Sequence, residues 1–149
     1  MDNIREFMEL DHKRCDDEFA AAEDDVLRRD WSAAARTFAT FVEDLEAHFR
    51  AEEEVLFPAY ESSTGMIGGP TQVMRMEHEQ MRALVRQMKE GLAARDGSAF
   101  GGSAETLLIL MQQHNMKEEN MLYPMCDEAL EGDAALMDRL EQALRVSVA

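Results

Sequence analysis

Two stretches decide the fold: HFRAEEEVLFP at residues 48–58 and HNMKEENMLYP at residues 114–124. Both read H-x-x-x-E-E-x-x-L-(F/Y)-P, and they stand 66 positions apart (48 to 114). The other two histidines, His12 and His78, keep the same offset within the matching surroundings MELDH and MRMEH. All 4 histidines therefore fall into two pairs with one spacing. Chance scatter rarely does this, and the simplest source is a repeated helical hairpin. Each copy carries one His on its first helix and H-x-x-x-E on its second.

Outward from these motifs, apolar residues recur at intervals of three and four, and strand-like alternation is absent. The first segment has Ile4, Met8, His12, Cys15, Phe19, Ala22 and Val26 in phase. It can be capped by Asp2 or Asn3 and stops near Asp30. The second has Phe38, Phe41, Leu45, His48, Glu52 and Val55 in phase, with Ser32 as a candidate cap and Pro58 ending or bending it. SSTGMIGG at 62–69 reads as a loop, and Pro70 suits the first position of a third helix carrying Met74, His78, Met81, Val85, Met88 and Leu92. DGSAFGGS at 96–103 reads as a second loop. The fourth helix carries Leu107, Leu110, His114, Glu118, Met121 and Met125, and Leu136, Leu140 and Leu144 mark a tail helix. The expectation is an all-α, up-down four-helix bundle with a short C-terminal helix, as a single domain over 1–149. Its hairpins span approximately 1–66 and 67–132.

The chemistry follows from position. His12, His48, Glu52, His78, His114 and Glu118 all occupy the apolar seam of their helices, where hydrophobes would otherwise sit. Residues four apart share a helix face, so His48 points with Glu52 and His114 with Glu118. Burying two carboxylates without partners is strongly unfavourable, and a pair of cations removes that cost. Four imidazoles and two carboxylates suit two first-row metal ions, with positions left for water, oxide or a small exogenous ligand. A single His on an apolar face is more often a hydrogen-bonded core residue. The shared offset and shared seam separate these six from that reading.

Bulk properties narrow the partners. A formal charge of −16 opposes binding to nucleic acid and to anionic membrane surfaces. No apolar run approaches the ~20 residues of a membrane span, and the charged N-terminal turns do not resemble a secretory signal. Cys15 and Cys126 cannot form a disulfide framework, so reduced thiols in a cytoplasmic protein are expected.

At its His and Glu residues the chain resembles the hemerythrin-like (HHE cation-binding) family, from His12 to beyond Pro124. The resemblance implies an up-down bundle around a non-haem di-iron centre, bridged by two carboxylates and an oxo or hydroxo species. Its ligands would be His12, His48, Glu52, His78, His114 and Glu118, with manganese or zinc as the alternatives to iron. Oxygen-carrying members have a second His four residues after the third-helix His, and here that position is Arg82. The chain looks more like members associated with iron sensing, nitrosative stress or repair of iron–sulfur centres. The repair proteins add a cysteine-bearing N-terminal domain, for which no counterpart is expected here. Three functions stay open. One is a binding or sensing protein for O2, NO, peroxide or iron, acting through a protein partner. The second is an enzyme reducing NO or peroxide, or aiding cluster repair. The third is a bundle stabilised by structural metal.

Neighbouring residues carry further expectations. Arg82 and Asp16 share the repeat offset and either pair beside the metals or lie on the solvated flank. The Tyr123 phenol either donates to a metal-bound species or packs with its hydroxyl at the bundle edge. Met74, Met81, Met88, Met111, Met121 and Met125 read as core filler, and Cys15 as a buried hydrophobe or redox thiol. Glu53 and Glu54 are expected in water. Glu77 and Glu79 are expected either exposed or as supports for the ligands.

Overall fold

The computed structural model describes residues 3–146, with side chains to Arg145. Helix α1 (Ile4–Leu27) packs antiparallel on α2 (Trp31–Ala51), which runs on through a π-helical turn (Glu52–Leu56) into α3 (Phe57–Thr64). Helix α4 (Pro70–Ala93) packs likewise on α5 (Gly97–Lys117), which continues through a second π-helical turn (Glu118–Leu122) into α6 (Tyr123–Ala129). Helix α7 (Ala134–Val146) lies against α2 and the first π turn. The result is the expected all-α bundle, with no strand among the described residues. Helices α1 and α4 each have 24 residues, and α2 and α5 each have 21.

Local chemistry sets the helix ends, in places differently from the sequence reading. Asn3 caps α1, its Oδ1 accepting from the Glu6 amide at 2.8 Å; Asp2 lies outside the described residues. Asp30 caps α2 rather than Ser32, which sits inside the helix, because Arg29 takes a left-handed conformation (φ 58°) and turns the chain earlier. Arg95 (φ 53°) does the same before Asp96. DGSAFGGS is therefore the cap and opening turns of α5, not a loop. Its glycines weaken the helix, but the Asp96 carboxylate accepts from the Ala99 amide and Phe100 and Ala104 are buried.

The prolines also act differently. Pro58 and Pro124 neither end nor interrupt their helices. In a regular α-turn Pro58 would press on the carbonyl of Glu54 and return no N–H to it. The wider turn relieves that conflict, the Phe57 amide bonding to the Glu52 carbonyl and the Tyr123 amide to the Glu118 carbonyl. The extra residue rotates the helix beyond it. Leu56 and Phe57 are buried while Val55 is only half-buried, and Leu122 and Tyr123 are buried while Met121 is 62% exposed. Met121 thus leaves the seam it was expected to hold, while Val55 keeps a half-buried place against the core around Leu56 and Phe57.

Two apolar clusters result. One holds Cys15, Phe19, Phe38, Phe41, Met88, Phe100 and Leu107. The other holds Ile4, Met8, Leu56, Phe57, Tyr60, Met74, Leu122, Leu136 and Leu140. On every helix of the bundle the histidine falls between a residue of one cluster and a residue of the other. The polar layer is therefore roofed on both sides by hydrocarbon.

Close packing of α4 on α5 depends on Gly91. A Cβ there would stand 2.8 Å from the Phe100 backbone nitrogen and 3.1 Å from its Cα. Gly91→Ala is expected to destabilise the fold by about 1–2 kcal/mol, although alanine is the better helix former. Urea unfolding that showed an unchanged or higher midpoint would contradict this.

Candidate metal centre

The structure brings all six seam residues to one point. His12 comes from α1, His48 from α2, His78 from α4 and His114 from α5, while Glu52 and Glu118 open the two π turns. Both carboxylates have 0% exposure, and all four imidazoles are buried. Ligand atoms of Glu52, His78, His114 and Glu118 lie within 4.8 Å of one another, as do those of His12, His48 and Glu118. Glu118 presents Oε1 to His12 Nε2 at 2.9 Å and Oε2 to His114 Nε2 at 3.2 Å. Glu52 presents Oε1 to His78 Nε2 at 3.0 Å and to His48 Nε2 at 3.5 Å.

A second ring of carboxylates orients the imidazoles. His12 Nδ1 bonds Glu119 at 2.6 Å, His48 Nδ1 bonds Asp11 at 2.7 Å, His78 Nδ1 bonds Glu53 at 2.6 Å and His114 Nδ1 bonds Glu77 at 2.8 Å. With each Nδ1–H donated outward, each Nε2 lone pair faces the centre, as a metal ligand requires. The sequence reading misses Asp11, Glu53 and Glu119 as partners, and it expects Glu53 in water. The signal existed, since Asp11 and Glu77 keep the 66-residue offset, as do Glu53 and Glu119.

The donor set fits a cation. Glu52 Oε1, His78 Nε2, His114 Nε2 and Glu118 Oε2 are buried with no aligned hydrogen-bond partner. Such orphaned groups are costly unless an ion satisfies them. Burial works against a charged imidazole, but the surrounding carboxylates outweigh it and raise all four histidine pKa values, His48 the most clearly. Burial likewise pushes the Cys15 thiol up to about 12, which suits a small core residue rather than a reactive thiolate.

Arg82 does not meet Asp16, which is exposed. Its guanidinium instead bonds Glu46 at 2.8 Å, Glu53 at 3.1 Å and Glu79. Helix α2 and the π turn offer carboxylates nearer than α1 does, so the expected cross-axis pair never forms. Arg82 reaches the centre through Glu53, whose carboxyl His78 and Arg82 together hold down at about 2 despite burial. Tyr123 is fully buried, and its hydroxyl lies among the ligands rather than at the bundle edge.

This chain belongs to the hemerythrin HHE cation-binding domain family, whose model matches residues 3–126. Its buried His/Glu cluster is a metal-binding site. The chain is also similar to a DNA nickase of Nostoc, at 28% identity over 121 residues. That likeness covers 81% of this chain and 32% of the relative, so the chain spans about a third of that protein's length. No solved structure matches at a comparable level.

Protons compete with metal for the Nε2 lone pairs, and the histidine pKa values lie above the ordinary 6.5. Metal affinity should therefore keep rising with pH beyond 6.5, and a pH-resolved titration that plateaus below that value would contradict the placement. Arg82→Ala frees Glu53 and should weaken metal affinity roughly tenfold, read by competition with a chelator; unchanged affinity would remove Arg82 from the centre's support.

Proposed function

We propose that the cluster holds two iron ions and that the protein binds or senses a small ligand such as O2, NO or peroxide, or iron itself, under oxidative or nitrosative stress. His12 and His48 would hold one ion, His78 and His114 the other, with Glu52 and Glu118 shared. The observation that carries this is the span of Glu118, one oxygen beside His12 and the other beside His114. The matched helix lengths and the second carboxylate ring support a duplicated hairpin as the origin of two equivalent half-sites.

Two bound irons would supply electrons and Lewis acidity to a small ligand. The chain's own part is to aim four Nε2 lone pairs inward, keep the Glu118 carboxylate ionised and exclude bulk water with its two apolar clusters. The nickase's activity belongs to a protein about two and a half times as long, and the −16 charge here opposes contact with a phosphate backbone.

The decisive experiment is metal analysis of untagged protein with Mössbauer spectroscopy. About two irons per chain, magnetically coupled, are expected; His48→Ala and His114→Ala should each lose at least one. Zinc in a closed, colourless site, or no metal after anaerobic iron loading, would overturn the proposal. With two irons in place, stoichiometric NO or peroxide binding supports the sensor. Repeated turnover with a reductant would instead make the protein an enzyme.

A further inference from the structure

The two halves of the centre differ at one position. Phe57 and Tyr123 are separated by the same 66 residues as the ligands, and each comes directly after a π turn. Phe57 lies beside His78, ring centroids 5.9 Å apart, and Tyr123 lies beside His12 at 5.6 Å. Only the second ring carries an oxygen.

That oxygen has four close neighbours. Tyr123 Oη is 2.7 Å from Glu52 Oε2, 2.9 Å from Glu118 Oε1, 3.2 Å from His12 Nε2 and 3.4 Å from His48 Nε2. With each imidazole donating Nδ1–H outward, all four neighbours present lone pairs. A phenol has one proton and can serve one of them. The other three would face its oxygen lone pairs in a buried space, which is unfavourable without a positive charge among them, either protons on the imidazoles or the metal ion that displaces those protons.

Ligands at right angles around one first-row ion, at bond lengths of about 2.0–2.2 Å, lie roughly 2.8–3.1 Å from each other. The four distances from Oη, 2.7 to 3.4 Å, bracket that edge length, so a small inward shift of the two imidazoles would complete the set. We propose that Tyr123 is itself a ligand, completing the coordination of the ion held by His12 and His48. As the metal–oxygen bond forms, the phenol proton leaves to solvent and no electron moves. The ion held by His78 and His114 receives no such group, because Phe57 occupies the equivalent place and Phe49 stacks on His78 at 4.0 Å. An exogenous small ligand therefore binds on the His78/His114 side, against an aromatic wall.

The inference rests on the two-iron reading, and one sample separates them. The full chain is loaded with iron, oxidised, analysed for metal and examined by visible absorption and resonance Raman spectroscopy. Phenolate-to-iron(III) absorption and tyrosinate vibrations are expected in the wild type. They should vanish in Tyr123→Phe and persist in Tyr60→Phe, the chain having 2 tyrosines. Circular dichroism should show Tyr123→Phe folded, since Phe is already accommodated at position 57. Iron-loaded protein without the tyrosinate signature, or a signature surviving Tyr123→Phe, would overturn the ligand assignment alone. Failure to take up iron would overturn the two-iron reading and this inference together.

Discussion

Two carboxylates without access to water sit at the middle of this bundle, and the rest of the structure answers to them. An unpaired buried carboxylate costs several kcal/mol even after relaxation. Here the cost is met by gathering nitrogen rather than by moving the acid outward. Four helices each give up one core position to a histidine, and four further acids lock the imidazole rings from behind. The hydrocarbon on either side then keeps water from competing. The polar layer is tolerable only as a complete set, which explains why its members span the whole bundle.

The centre is legible in sequence because its constraint is periodic. A ligand has to face inward, so His12, His48, His78 and His114 have to fall on helical seams, and the repeat places them in register. The four supporting acids carry the same repeat but lie off the seam, where acidic residues are common, so composition hides Glu53 and Glu119 among ordinary surface carboxylates. The π turns are hidden for a different reason. Hydrophobic phase is read with a fixed pitch, and one residue added to a turn keeps the pattern plausible while turning Met121 out to solvent and Val55 to the margin of the core. The left-handed Arg29 and Arg95 offer no glycine to announce the turns they make, so Ser32 looks like the better cap and the start of α5 looks like a loop. The Arg82–Asp16 pair fails because symmetry of position does not ensure proximity, and Glu46 and Glu53 are simply closer.

Near-symmetry and its breaking serve different ends. The matched helices, turns and acids set up two equivalent pockets for cations. Exceptions sit close to the centre: Tyr123 against Phe57, Asn115 against Phe49, and α7 packed chiefly on the first π turn. They make one side more polar and the other more apolar, so two ions held by the same pairs of imidazoles and carboxylates would still meet different surroundings.

The supporting acids for His12 and His78 come from the opposite half of the chain: Glu119 reaches back to α1, and Glu53 reaches across to α4. A hairpin cut free would keep its two imidazoles and its central carboxylate, yet its first histidine would have no acceptor behind it. Two identical hairpins facing each other could supply what each lacks. The minimal self-sufficient unit is therefore a pair, and joining the two into one chain converts an association that depends on concentration into one that does not.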